Sequence, residues 1–91
     1  MRISTYATLR DVMGVSAIDL PLAERTTIGH VLRRLIESYP ALGPKLWDAG
    51  GAPTGFVTVL LNGRSVEYLQ GQETMVANED TVSLFPPVGG G

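Results

Sequence analysis

Apolar and polar residues alternate from Met1 to Thr8, with Ile3, Thr5 and Ala7 on one face and Ser4, Tyr6 and Thr8 on the other. Period two in a β-branched stretch predicts a strand. After a turn near Gly14, Val15 to Leu20 puts Ile18 and Leu20 on one face and stops at Pro21, which predicts an antiparallel partner. The period then changes. Ile28, Val31, Leu32, Leu35, Ile36 and Tyr39 form one continuous helical stripe. Thr26 or Thr27 is placed to cap this helix, and Pro40 ends it by pushing the preceding residue away from the α region. Gly29 costs the first turn about 1 kcal/mol against Ala, which predicts close approach of another segment there.

From Ala41 to Gly55 the pattern is irregular, with room for one short helical turn that sets Leu46 and Trp47 against the domain. Phe56 to Leu61 is β-rich, and Asn62-Gly63 predicts a type I′ hairpin because both central residues of that turn need positive φ. The return strand runs from Arg64 to Tyr68. Asn78-Glu79-Asp80 turns into a last strand, Thr81 to Phe85, with Val82 and Leu84 on one face and Thr81, Ser83 and Phe85 on the other. The predicted order is β-β-α-β-β-β: an α+β roll with one amphipathic helix across one face of a mixed sheet. The last strand is central if it pairs in parallel with the first. Residues 1–85 read as one domain and residues 86–91 as a flexible C-terminal tail.

Composition narrows the chemistry. The 91 residues include no cysteine and one histidine, so a thiolate nucleophile, a disulfide scaffold and a cysteine-ligated metal are excluded. The net charge is −2, and six of the seven basic residues are Arg without forming a basic run, which argues against nucleic acid as a partner. No apolar stretch reaches the roughly 18–20 residues a membrane span requires. No signal-peptide pattern opens the chain, so a soluble cytoplasmic protein is expected. The carboxylates Glu67, Glu73, Glu79 and Asp80 lack the spacing of a metal loop, and no bound metal is expected.

Chemistry concentrates at the end: Leu84-Phe85-Pro86-Pro87-Val88-Gly89-Gly90-Gly91. The prolines stop the strand and begin a stiff extended arm, and three glycines without a Cβ fit a slot too narrow for other residues. Six residues from Pro86 onward reach roughly 20 Å when extended. The group at the tip is the α-carboxylate of Gly91, a poor electrophile that needs activation, for instance as an acyl adenylate made by another enzyme.

These residues, preceded by Glu79-Asp80-Thr81-Val82, resemble the terminus of the MoaD/ThiS-type ubiquitin-like sulfur carriers. The resemblance extends to Ala7-Thr8-Leu9-Arg10-Asp11, to Thr26-Thr27-Ile28-Gly29, and to Asn62-Gly63-Arg64 with Val66-Glu67-Tyr68-Leu69. It implies a β-grasp fold and a protein cosubstrate that is not itself an enzyme. It further implies that an E1-like adenylyltransferase, using ATP and magnesium, activates Gly91, and that sulfur delivery leaves a C-terminal thiocarboxylate. The loop from Asp48 to Gly55, longer than in the smallest thiamin-pathway carriers, favours the MoaD-like branch or related archaeal and actinobacterial carriers; in the molybdopterin branch the carrier is the small subunit of molybdopterin synthase. It then donates sulfur to cyclic pyranopterin monophosphate in the large subunit. Other sulfur-accepting enzymes, in cysteine, thiamin or tRNA thiolation pathways, are the alternatives, as is conjugation of Gly91 to lysines. Gly89 stands where the family more often has Ser or Ala.

Parity places Tyr6 and Phe85 on the sheet face away from the helix, with Leu60 joining them if Val57, Val59 and Leu61 point inward. The resemblance supports Tyr6 and Phe85 as partner contacts, continued by Pro86, Pro87 and Val88 along the arm. Ser65 stands where some members carry a larger apolar side chain, which predicts a smaller patch. His30 falls beside Arg33, Arg34 and Glu37 on the solvated helix face, and Tyr39 and Trp47 read as core-edge packing.

Overall fold

The computed structural model describes residues 1–86. The elements run β1 (Arg2–Thr5), α1 (Ala7–Met13), β2 (Ala17–Asp19), β3 (Thr26–Thr27), α2 (Ile28–Ser38), a 3-10 turn (Pro40–Leu42), α3 (Gly43–Leu46), β4 (Thr58–Leu61) and β5 (Arg64–Ser65). Two more 3-10 turns (Val66–Tyr68 and Gly71–Glu73) precede β6 (Met75–Val76) and β7 (Thr81–Phe85). Among the described residues five strands form a sheet in the order β2-β1-β7-β4-β5, and β3 and β6 form a second, two-stranded ribbon. β1 and β7 are parallel, and every other pairing is antiparallel. The last strand is therefore central, flanked by β1 and β4. This is a β-grasp fold.

The core lies between the sheet and α2. Ile3, Val59, Leu61, Val82 and Leu84 from the sheet meet Ile28, Val31, Leu32 and Leu35 of the helical stripe, all of them buried. Ile36 and Tyr39 pack at its edge. Thr27 is the cap: its Oγ1 accepts a hydrogen bond from the His30 backbone N–H at 3.2 Å. A Cβ on Gly29 would lie 3.1 Å from the Gln72 carbonyl oxygen, so the glycine marks where the 71–73 turn crosses the helix. Asn62 (φ 50°) and Gly63 (φ 87°) both adopt the left-handed conformation of the expected hairpin. α3 supplies the single turn expected near Leu46, which is buried, while Trp47 is half-buried.

Three expectations need correction. The first strand stops at Thr5, and Ala7 and Thr8 open α1, a helix absent from the predicted order. Leu9 and Met13 are one turn apart and both buried, so an amphipathic face outcompetes the alternation that runs up to Thr8. Gly14 closes α1 in the left-handed conformation (φ 75°), its N–H donating to the Arg10 carbonyl. The return strand ends at Ser65, because Ser65 Oγ accepts from the Glu67 N–H and turns the chain into a 3-10 turn. The order also gains β3 and β6, two-residue strands that pair Thr26 with Val76 and Thr27 with Met75.

Candidate functional site

The site is assembled at the C-terminal end of β7, on the face of the sheet opposite α2. In β7 the inward residues Val82 and Leu84 are fully buried, while Ser83 and Phe85 point to the other face and are half-buried. In β1 the same alternation buries Ile3 and Thr5 and leaves Ser4 half-buried and Tyr6 exposed. The parallel register pairs Thr5 with Leu84, which brings Tyr6 beside Phe85. Their rings stack with centroids 4.3 Å apart and planes 4° from parallel. Such a pair contributes about 0.5–1.5 kcal/mol beyond its buried area.

Local chemistry holds both rings. Tyr6 is the extended residue (φ −132°, ψ 152°) that starts α1, and its carbonyl accepts from the Leu9 N–H at 3.2 Å. Thr5, buried beside it, donates its hydroxyl to the Val15 carbonyl at 2.6 Å, tying the end of β1 to the chain after α1. Phe85 pairs with Thr58 at the start of β4. One row behind the ring pair, Ser4, Ser83, Leu60 and Ser65 lie in register across β1, β7, β4 and β5. Leu60, half-buried, is thus on the same face as Tyr6 and Phe85, one row behind the stack and flanked by Ser83 and Ser65.

The opposite end of β7 is anchored by charge. Asp80 accepts from the Asn62 side chain at 3.0 Å and from the Ala77 N–H at 2.7 Å, while the Thr81 N–H donates to Asn62 Oδ1 at 2.9 Å. The Asn62 and Ala77 hydrogen bonds hold the Asp80 carboxyl below the usual carboxylate range. The turn thereby fixes where β7 begins, and so where Phe85 and Pro86 leave the sheet.

Among the described residues no cluster of His, Asp and Glu is arranged to hold a metal ion. None of their helices is long and apolar enough to cross a membrane. Tyr6, Leu60, Phe85 and Pro86 are brought to one end or face; Pro87, Val88, Gly89, Gly90 and Gly91 lie outside the described residues. The sequence reading missed Ser4, Ser83 and Thr58 as companions of the ring pair. Their parity was readable, but their adjacency depends on strand order.

The sequence profile of the ThiS family matches residues 3–91. The chain belongs to the ThiS family. Small archaeal modifier protein 3 of Haloferax volcanii is 41% identical over 86 residues, covering 94% of this chain and 92% of the relative. The sulfur carrier protein CysO of Mycobacterium tuberculosis H37Rv is 31% identical over 71 residues, 76% of each chain. The crystal structure of SAMP1 from Haloferax volcanii superposes with a TM-score of 0.86 at 28% identity, covering 100% of this chain and 98% of that one. These ThiS-family relatives are named as carriers and modifiers, not as enzymes, and the chain is a small ubiquitin-like carrier or modifier.

Proposed function

We propose that this ThiS-family chain is a sulfur carrier whose working group is the α-carboxylate of Gly91. The observation that carries this reading is the placement of Phe85 and Pro86. Phe85 closes the central strand and stacks on the exposed Tyr6, and Pro86, which follows it directly, is the first residue of the segment that ends in Gly89-Gly90-Gly91 in the sequence. A partner that grips Tyr6, Phe85 and Leu60 through the outer face holds the chain at its central strands while glycines enter its catalytic slot.

In this reading an E1-like adenylyltransferase supplies ATP and magnesium. The Gly91 carboxylate attacks the α-phosphorus and pyrophosphate leaves; hydrosulfide then attacks the Gly91 carbonyl carbon, the C–O bond to phosphate breaks, AMP leaves with the electron pair, and loss of the S–H proton to solvent gives the thiocarboxylate. The chain contributes no acid or base; it contributes an end without side chains and a docking face. The sulfur acceptor we favour is the large subunit of a molybdopterin synthase. A second reading, transfer of the Gly91 acyl group to lysines of target proteins, is favoured by the modifier named among its relatives at 41% identity.

Intact-mass measurement tests the proposal. Incubation with the activating enzyme, ATP, magnesium and a sulfur source exchanges one carboxylate oxygen for sulfur, and deletion of Gly91 abolishes the exchange. An unmodified Gly91 under conditions where the activating enzyme turns over another carrier overturns it. Conversion of cyclic pyranopterin monophosphate by the large subunit and the thiocarboxylated chain tests the pathway.

A further inference from the structure

Asn62-Gly63 is the one Asn-Gly step in the chain, and the other asparagine, Asn78, precedes Glu79. An asparagine before glycine is the most open to deamidation. With no Cβ on the following residue, that residue's backbone nitrogen can reach the asparagine Cγ. The hairpin tip between β4 and β5 leaves room for the reaction: Asn62 and Gly63 are exposed, and a Cβ on Gly63 would meet nothing within 4 Å. Solvent reaches both residues.

The Asn62 amide, however, is committed elsewhere. Its Nδ2 donates to Asp80 Oδ1 at 3.0 Å, and its Oδ1 accepts from the Thr81 N–H at 2.9 Å. The Asn62 backbone N–H donates to the Thr81 carbonyl at 2.8 Å. Asp80 is held in turn by the Ala77 N–H, which donates to its second oxygen at 2.7 Å. Both ends of the amide are therefore bound to the start of β7. Attack on Cγ makes the planar amide tetrahedral and expels Nδ2, a change that the two side-chain bonds together oppose.

We infer that Asn62 is a deamidation site gated by Asp80: the amide converts from the unclasped hairpin, and conversion then prevents the clasp from re-forming. The Gly63 nitrogen attacks Asn62 Cγ, the N–Cγ bond forms and the Cγ–Nδ2 bond breaks. Ammonia leaves with the electron pair and the Gly63 amide proton, and a cyclic succinimide remains. Water opens the ring at one carbonyl or the other, giving aspartate or isoaspartate. The new carboxylate still accepts from the Thr81 N–H but has no proton to give Asp80. Two carboxylates then face each other where a donor and an acceptor stood 3.0 Å apart. Isoaspartate also lengthens the backbone of the tight turn, which disturbs the pairing of Leu61 with Arg64. The modification thus acts on the anchor of β7 and leaves Tyr6 and Phe85 chemically unchanged. It is independent of any activation of Gly91.

Peptide mapping of the full chain tests it. The protein is incubated at neutral pH both folded and unfolded in guanidinium, and mass spectrometry follows amide-to-acid conversion at Asn62 and Asn78. An isoaspartate methyltransferase with a labelled methyl donor reports the isoaspartate product. In the unfolded chain Asn62 should convert well ahead of Asn78. Folding should slow Asn62 at least about tenfold, and folded Asp80→Ala should recover roughly tenfold of that rate. If Asp80→Ala does not fold, Asp80→Asn, whose bond to Asn62 loses its charge, takes its place with a smaller rise. Asn62→Asp, made directly, should melt below the parent. A folded parent that converts as fast as the unfolded chain, or a rate unmoved by the Asp80 variant, overturns the gate. An Asn62 that stays intact in the unfolded chain overturns the site, and an Asn62→Asp chain that melts with the parent overturns the unlatching.

Discussion

Removing the Phe85 ring separates a docking role from a structural one. Phe85 is half-buried, and its ring rests on an exposed residue, Tyr6, rather than on the core. A fully buried Phe truncated to Ala costs about 3–5 kcal/mol. With part of the ring in solvent, and a stacking contribution of about 0.5–1.5 kcal/mol to lose, Phe85→Ala should cost about 1–2 kcal/mol. In a domain of this size that lowers Tm by roughly 5–15 °C. Leu84→Ala, one residue earlier and fully buried, should cost about 2–5 kcal/mol and serves as the core reference.

Binding should respond more than stability does. An aromatic anchor at the centre of an interface is worth about 2 kcal/mol or more, roughly thirtyfold in Kd. Calorimetric melting and titration against the activating enzyme, done on Phe85→Ala, Tyr6→Ala and the double variant, resolve the two effects. The two single losses of stability should be coupled by about 0.5–1.5 kcal/mol, because the stack is counted once in each. A Phe85→Ala chain that melts as low as Leu84→Ala would place the ring in the core. One that binds within threefold of the parent would end the docking role.

The other predictions concern what holds β7 and α2 in place. Gly29→Ala gains helix propensity, yet its Cβ would meet the backbone oxygen of Gln72 at 3.1 Å, so a net loss of about 1 kcal/mol is expected in thermal melts; a stabilised variant would show that the 71–73 turn yields freely. Asp80 has a depressed carboxyl pKa in the fold, so its contribution is fully present above the unfolded value near 3.9 and is lost as pH falls through the lower folded value. Denaturation from neutral pH down through that range should therefore be steeper for the parent than for Asp80→Asn, and parallel curves would remove Asp80 from the acid response.

The elements legible in the sequence are those decided by neighbours in the chain. The α2 stripe, the Thr27 cap, the Asn62-Gly63 turn and the bounds of β7 each follow from side chains within a few residues of one another. α1 was obscured because Ala7 and Thr8 satisfy two periods at once, and the long-range burial of Leu9 and Met13 decides between them. β3 and β6 are too short to leave a period at all; they exist because Thr26 and Val76 meet across 50 residues of sequence. The ring pair belongs between these cases. Parity alone assigns Tyr6 and Phe85 to the outer face, and a parallel β1–β7 pairing that aligns Thr5 with Leu84 carries Tyr6 to Phe85 one step further on. The stack is thus a consequence of one long-range register added to two local patterns. Any change that slips β7 by one residue would send Phe85 inward and break the docking face and the core together, which is why the Asn62–Asp80 anchor at the far end of the strand matters to a site at its near end.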